Sequence, residues 1–226
     1  MREKWWIGKR PREGICSRPV LPAAAPPVPV PWLGLRSAQN VPKHERSMDG
    51  VTALIVPGIG NSGPRHWQTL WEQNHPHWHR VQQRDWDHPV LDEWLRGLDV
   101  AMAGWPQPPV LIAHSMGCLL VAHWARRASA AVGAALLVAP PDPQGPAFPS
   151  TARGFETVPS DRLPFPSLVV ASSNDAFGSV DYAKQCAVDW GSAFVEAGAI
   201  GHINAESDLG AWPAGFVFLT QLLATS

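Results

Sequence analysis

Short apolar runs alternate with helix-like segments from residue 51 to the end of the chain. The runs are continuous rather than alternating with polar residues, which is typical of strands buried on both faces of a sheet. The segments between them place apolar residues at helical spacing, as Trp67, Leu70 and Trp71 do. The predicted strands are 51–56, 79–84, 109–113, 134–139, 167–172 and 192–197. The predicted helices are 65–74, 91–102, 116–128, 180–190 and 212–223.

This order of elements predicts an α/β fold. Short buried strands that alternate with helices form a parallel sheet, and right-handed crossovers place the helices on both of its faces. The expected architecture is a three-layer α/β/α sandwich with a parallel sheet of about six strands. The segment 140–166 is expected to be a loop or short helices rather than a lid domain.

Residues 1–48 differ in composition from residues 49–226. The first segment has nine Lys or Arg against three Asp or Glu, and the second has nine against sixteen, so the formal charge of −1 averages two unlike parts. Five prolines between residues 22 and 31 disfavour the helical core of a signal peptide and favour polyproline II. We expect a disordered extension, or upstream sequence translated from a start codon before the natural one, followed by one domain at 49–226. A PxxP ligand at 26–29 is the functional alternative.

Composition and spacing argue against several function classes. A hydrophobic content of 45% with almost no net charge disfavours a wholly disordered chain and a basic surface for nucleic acid. We expect no membrane span, because no apolar run reaches the roughly 18 residues required. Cys16, Cys118 and Cys186 fit neither a disulfide framework nor a CxxC metal site, and they suit a reducing, cytoplasmic compartment. The three histidines within 75–79 lack helical spacing and a nearby cysteine or carboxylate ligand, so no metal site is expected there.

The strongest chemical signal is the sequence LIAHSMG at 111–117. A predicted buried strand runs into Ser115 and a helix begins directly after it, which is the context of a nucleophile elbow with the pattern G-x-S-x-G. Here Ala113 takes the first small position and Gly117 the last. The structural alternative is a serine that caps an ordinary helix.

A serine hydroxyl is a weak nucleophile without a base, so a histidine is expected nearby. His202 follows the last predicted strand and lies among small residues, and it is the preferred candidate. His114 adjoins the serine, but neighbouring side chains leave a strand in opposite directions, so we interpret it as packing beside the elbow. The acid that orients the histidine is expected to be Asp175, after the fifth strand, with Asp142, after the fourth, as the alternative.

An oxyanion formed at Ser115 requires two backbone donors. The N–H of Met116 at the start of the following helix is one candidate, and the N–H of Ile59 in the glycine-rich loop 57–63 is the other. That loop lacks the Lys-[ST] of a P-loop and the full G-x-G-x-x-G spacing, which disfavours a nucleotide site. The residues expected to contact substrate are Gly58, Gly60, Asn61 and His114.

Five segments between about residues 51 and 223 carry a resemblance to a known family. They are VPGIGNSGPRHWQTLW (56–71), WDHPVLDEW (86–94), LIAHSMGC (111–118), RLPFPSLVVASSNDAF (162–177) and GHINAESDLGAWPAG (201–215). The set resembles the small serine hydrolases typified by retinoblastoma-binding protein 9 and the bacterial YdeN-like proteins. The resemblance implies an α/β-hydrolase fold with little or no lid and a triad of Ser115, Asp175 and His202. It also implies that many of the twelve tryptophans belong to the scaffold and the pocket wall.

We therefore expect a serine hydrolase that cleaves small carboxylic esters, thioesters or short amides through an acyl-enzyme on Ser115. His202 is expected to act as the base and Asp175 as the orienting acid. An aminopeptidase-like hydrolase is the alternative among enzymes, and a non-catalytic interaction module on the same fold is the alternative from another class. The chemistry needs neither a metal nor an organic cofactor, and the expected partner is a small acyl substrate.

Overall fold

The computed structural model describes residue 48 and the ranges 50–127 and 130–225. The extension expected at 1–48 lies outside the described residues, apart from Met48 itself. The strands are β1 Ala53–Val56, β2 Trp78–Arg80, β3 Val110–His114, β4 Ala134–Val138, β5 Ser167–Ala171 and β6 Ala193–Glu196. The α-helices are α1 Trp67–Asn74, α2 Leu91–Met102, α3 Met116–Ala125, α4 Val180–Trp190 and α5 Pro213–Ala224, with a 3₁₀ turn at Ala205–Ser207.

The described strands form one parallel sheet in the order β2-β1-β3-β4-β5-β6. The predicted parallel sheet of six strands with flanking helices is therefore confirmed. From β1 the chain moves outwards to β2 and then returns past β1 to β3, so the winding direction reverses between β1 and β3. At such a reversal the loops after the two strands separate and leave a crevice at the carboxyl edge of the sheet.

Each face of the sheet is covered by helices with its own hydrophobic core. Apolar residues of α2, α3 and α4 form one core, and apolar residues of α1 and α5 form the other. Tryptophans are large parts of both cores, and several of their buried rings direct the indole N–H to backbone carbonyls. Trp67 donates to Ile203 O at 2.7 Å and Trp190 donates to Pro159 O at 2.8 Å. These tryptophans join distant segments of the scaffold.

Several elements are shorter than their sequence pattern predicted, and the ends of β2 and α1 are two examples. The second strand was expected at 79–84, but pairing with β1 ends at Arg80, and Gln83 turns its side-chain amide to the carbonyl of Trp94 instead. The first helix begins at Trp67 rather than at residue 65, because the side chain of His66 caps it by accepting the N–H of Gln68. The segment 140–166, described throughout, contains no helix or regular strand, in agreement with the predicted absence of a lid domain.

Candidate active site

Ser115 stands on a strained turn between β3 and α3. Its backbone has φ 54° and ψ −125°, a left-handed conformation that a residue with a Cβ rarely adopts. Its N–H donates to Val138 O at 2.8 Å, which anchors the turn to the neighbouring strand. A Cβ at Gly117 would overlap the carbonyl oxygen of Val56, and a Cβ at Gly58 would lie 2.8 Å from the Cβ of Ser115. The small residues around the serine are therefore required by close backbone packing.

The structure brings the three predicted polar side chains into one hydrogen-bonded row. His202 Nε2 lies 2.8 Å from Ser115 Oγ, and His202 Nδ1 lies 2.9 Å and 2.8 Å from the two carboxylate oxygens of Asp175. The side chains of His202 and Asp175 are only 11% and 2% exposed. The carboxylate is also oriented by the N–H of Phe177, which donates to Asp175 Oδ1 at 2.9 Å. A buried carboxylate on one ring nitrogen and a hydroxyl on the other is the geometry of a nucleophile with its base.

Two short side chains that the sequence reasoning missed tie the aspartate loop to the histidine loop. Asn174 Oδ1 accepts the Gly201 N–H at 2.7 Å and the Ser172 hydroxyl at 2.9 Å. Ser172 Oγ in turn accepts the Ile200 N–H at 3.0 Å. These bonds hold the segment before His202 against the segment before Asp175, so the separation of the two side chains does not depend on their own contact alone.

A cavity of about 320 Å³ opens beside Ser115 Oγ. Its walls combine apolar side chains with a few polar ones. The lining residues are Ile59, Gly60, Ser62, Gly63, His66, His114, Ser115, Met116, Pro141, Pro149, Phe177, His202, Asn204, Ala205 and Glu206. The predicted oxyanion residues Ile59 and Met116 both lie in this wall, on either side of the serine in the sequence. Gly58 packs against the elbow, where an added Cβ would lie 3.2 Å from Met116 N.

Other predicted residues lie in different surroundings. Asn61 is not among the cavity-lining residues, because its carbonyl and side-chain oxygens both accept from Arg80 Nη1, at 2.9 Å and 3.2 Å. Asp142, the alternative acid, does not contact His202; its Oδ1 accepts the Gln144 N–H at 2.9 Å. Gly60 lines the cavity with φ 76°, and its N–H donates to Trp86 O at 3.1 Å.

Two further histidines, His114 and His66, lie beside the row formed by Asp175, His202 and Ser115. His114 is buried, and its Nε2 lies 2.9 Å from the carbonyl oxygen of His202, so it supports the backbone of His202. Burial lowers the pKa of His114 well below its usual value, and that of His66 from 6.5 to about 3. His66 was not singled out from the sequence, although its position between the glycine-rich loop and the first helix would have been the available signal.

The described residues contain no group of three His, Cys, Asp or Glu side chains that could hold a metal ion. None of the described helices has the length and apolar content required to cross a membrane.

The sheet, the elbow and the order Ser-Asp-His along the chain define an α/β-hydrolase without a lid domain. The model of the serine hydrolase family matches residues 53–221, and this chain belongs to that family. No curated protein matches the chain.

Solved structures support the same assignment. The chain is 33% identical to a protein described as a YdeN-like hydrolase from Pectobacterium atrosepticum, over 77% of this chain and 91% of that one, with a TM-score of 0.68. It is 19% identical to the ydeN gene product of B. subtilis, over 77% of this chain and 99% of that one, with a TM-score of 0.68. An esterase domain from Rhodothermus marinus has the same fold at 18% identity and a TM-score of 0.57, over 76% of this chain and 86% of that one.

Proposed function

We propose that this protein hydrolyses small carboxylic esters, and also thioesters or short amides, through an acyl-enzyme on Ser115. The single observation that carries the proposal is the continuous row Asp175–His202–Ser115, with contacts of 2.8–2.9 Å, at the wall of a cavity. A helix-capping serine would need neither the histidine nor the buried carboxylate.

In the acylation step, Ser115 Oγ attacks the substrate carbonyl carbon while His202 Nε2 takes the hydroxyl proton. The carbonyl π electrons move to oxygen, and the N–H groups of Ile59 and Met116 stabilise the resulting oxyanion. When the carbonyl re-forms, the bond from carbon to the leaving group breaks, and His202 donates its proton to the departing oxygen, sulfur or nitrogen. Asp175 holds Nδ1–H of His202 and stabilises the ring while it is positively charged.

In the deacylation step, water takes the place of the leaving group, and His202 again acts first as a base and then as an acid. His202 takes a proton from the water as its oxygen bonds to the acyl carbon. The bond between the acyl carbon and Ser115 Oγ then breaks, and His202 returns the proton to the serine. The products are a carboxylic acid and the free enzyme, and no redox partner or metal takes part in either step.

The dimensions and walls of the cavity favour a small acyl group. A volume of about 320 Å³ is near the lower end of the range for ligand pockets. Ile59, Met116 and Phe177 provide apolar surface in the cavity wall, and Pro141 and Pro149 from the segment after β4 also line it. These contacts support a short acyl chain rather than a long lipid chain.

An aminopeptidase-like activity is the second candidate, and one observation favours it. Glu206 is the one carboxylate among the lining residues, and it is exposed at the cavity wall. A carboxylate there would attract the ammonium group of an aminoacyl substrate. Turnover of p-nitrophenyl acyl esters compared with aminoacyl p-nitroanilides distinguishes the two candidates, and Glu206→Gln should lower only the second activity.

The test of the nucleophile is labelling by a fluorophosphonate, which forms a stable bond to an activated serine. The wild-type protein should label, and Ser115→Ala and His202→Ala should not. Ser160→Ala and His77→Ala are matched controls, because both residues are exposed and neither is among those that line the cavity. A folded wild-type protein that fails to label would contradict the proposed function, and labelling that survives Ser115→Ala would place the nucleophile elsewhere.

A further inference from the structure

Three successive residues of the glycine-rich loop have a left-handed backbone. Gly60, Asn61 and Ser62 have φ of 76°, 56° and 41°. A residue with a Cβ adopts this conformation less readily than glycine, and two in succession persist only when surrounding contacts hold them. The strained residues directly follow Ile59, whose N–H is a proposed donor to the oxyanion. The contacts that hold the loop therefore bear on the reaction.

The side chain of Arg80, at the end of β2, supplies contacts of this kind. Its Nη1 donates to Asn61 O at 2.9 Å, to Asn61 Oδ1 at 3.2 Å and to Ser62 O at 3.2 Å. Thr69 Oγ1 accepts from Arg80 Nη2 at 2.8 Å and donates to the same Ser62 carbonyl at 2.6 Å. The carbonyls of both non-glycine residues with a positive φ are therefore held, one by Arg80 and the other by Arg80 and Thr69 together.

A second set of bonds joins the loop to the strand that carries the serine. Ser62, which lines the cavity, donates its hydroxyl to Gln68 Oε1 at 2.6 Å. Gln68 is fully buried, and its Nε2 donates to Ile112 O at 2.9 Å in β3, the strand that ends at the turn of Ser115. The loop is thus fixed relative to the nucleophile by polar contacts on both of its sides.

The two proposed oxyanion donors are left free by these contacts. Among the described residues, neither the N–H of Ile59 nor that of Met116 has a hydrogen-bond acceptor. The next N–H of the loop, that of Gly60, is by contrast engaged by Trp86 O at 3.1 Å. Ile59 and Met116 both line the cavity, and two backbone donors at one cavity wall are what an oxyanion requires.

We propose that Arg80 and Thr69 are positioning residues for the oxyanion site. They hold the carbonyls of Asn61 and Ser62, and thereby fix the Ile59 N–H where the oxyanion forms. Their role rests on the proposed function, because it presupposes an oxyanion. A donor accelerates the reaction only while it is fixed where the charge develops, so its displacement weakens binding of the transition state more than binding of the substrate. The effect is therefore expected in kcat more than in KM.

Arg80→Lys and Thr69→Val remove the contacts with little change in volume. Lysine keeps the positive charge beside Glu72, whose Oε2 lies 2.6 Å from Arg80 Nη2, but one nitrogen replaces a fork of three and cannot keep all the contacts with the glutamate and the loop. Valine keeps the shape of threonine and lacks the hydroxyl. Arg127→Lys is the matched control, since Arg127 also pairs with a carboxylate, that of Asp99 at 2.7 Å, but is exposed and does not line the cavity.

The assays are steady-state hydrolysis of p-nitrophenyl butyrate and inhibition by propyl trifluoromethyl ketone. The ketone carbonyl adds Ser115 Oγ while His202 takes the hydroxyl proton, and the resulting oxyanion occupies the same donors as that of the ester. In Arg80→Lys, kcat should fall about 10- to 100-fold with KM within about twofold, and the inhibition constant of the ketone should rise by a similar factor. Thr69→Val should show the same pattern at about threefold to tenfold.

The inhibition constant separates positioning from a general structural role. A smaller fraction of correctly folded protein would lower kcat but leave the inhibition constant unchanged, and thermal unfolding verifies that each variant is folded. Arg127→Lys should match the wild type in every measurement.

The outcomes for the positioning residues and for the enzyme are separate. An unchanged inhibition constant in folded Arg80→Lys, or an equal rise in Arg127→Lys, would overturn the positioning role while leaving the hydrolase intact. If Arg80→Lys does not fold, Thr69→Val decides by the same measurement. Absence of both ester turnover and ketone inhibition in the wild-type protein would instead overturn the proposed function, and the positioning role with it.

Discussion

Replacing Asp175 with asparagine should disable the proposed base while leaving its surroundings in place. The amide has nearly the same volume as the carboxylate, and its oxygen can still accept the Phe177 N–H, which lies 2.9 Å from Asp175 Oδ1. Asparagine, however, has only one oxygen that can accept from His202 Nδ1, whereas aspartate has two. Its NH₂ group can donate to Nδ1, which favours the tautomer in which Nδ1 is unprotonated. In that tautomer Nε2 carries the proton and cannot take another from Ser115.

The size of the effect follows from the distance and the burial. In the proposed mechanism His202 becomes positively charged 2.8 Å from a carboxylate oxygen of a side chain that is almost fully buried. At an effective dielectric constant of about 20, opposite charges at that distance attract by about 6 kcal/mol, which corresponds to roughly 10⁴ in rate. We therefore expect kcat to fall by about 10³–10⁴, with KM nearly unchanged, because the charge arises only after substrate has bound.

Steady-state hydrolysis of p-nitrophenyl butyrate measures this effect, and Asp142→Asn is the matched control. Asp142 accepts only the N–H of Gln144 in its own loop, a role that asparagine can take over, so its kcat should stay within about twofold of the wild type. A loss of less than tenfold in Asp175→Asn, or an equal loss in Asp142→Asn, would refute the assignment of the acid.

Three further outcomes test the structure around the site. Gly117→Ala should lower the free energy of unfolding by about 1–3 kcal/mol, since its Cβ would overlap the Val56 carbonyl; an unchanged urea midpoint would mean that the elbow relaxes. Asn174→Ala removes the acceptor of the Gly201 N–H, and kcat should fall roughly 10- to 100-fold while the melting temperature changes little; full activity would show that the two loops hold without it. His66 stays neutral in the folded protein, with its pKa lowered from 6.5 to about 3, whereas the unfolded chain takes up a proton below pH 6.5. Its contribution to stability is therefore lost as the pH falls from 6.5 towards 3, by about 1.4 kcal/mol per pH unit, and urea unfolding should be less pH-dependent in His66→Asn than in the wild type.

The fold was predictable because its strands are buried on both faces. The central runs, such as β3 and β4, consist almost entirely of apolar residues, and every residue in these two strands is buried. Such runs bounded by turns can be recognised without any knowledge of their partners. Positions near the sheet edge were predicted less well: after Arg80 the Val81 N–H still donates to Ile55 O of β1, but the pairing of β2 goes no further, and the Gln83 side chain bonds to the carbonyl of Trp94.

The candidate row was predictable for a related reason. Ser115, Asp175 and His202 each follow the end of a strand, and the carboxyl ends of parallel strands lie at one edge of a sheet. Order along the chain was therefore sufficient to nominate them. It was not sufficient for Asn61, whose residue type and position in a glycine-rich loop suggested substrate contact, while the structure turns its oxygens to Arg80 on the neighbouring strand.

By itself, the sequence determined the periodic burial of the elements, the tight turn at Ser115 and the candidates at the strand ends, because these depend on local composition and spacing. Only the tertiary structure decided which side chains meet across long separations. The bond from Trp67 to Ile203 and the contact of His114 with the His202 carbonyl are examples. The tautomer of His66 is another example. The residue type permits either tautomer, and the N–H of Gln68 in the neighbouring helix selects the one in which Nδ1 is the acceptor. Partners and protonation depend on packing geometry, which residue order alone does not specify.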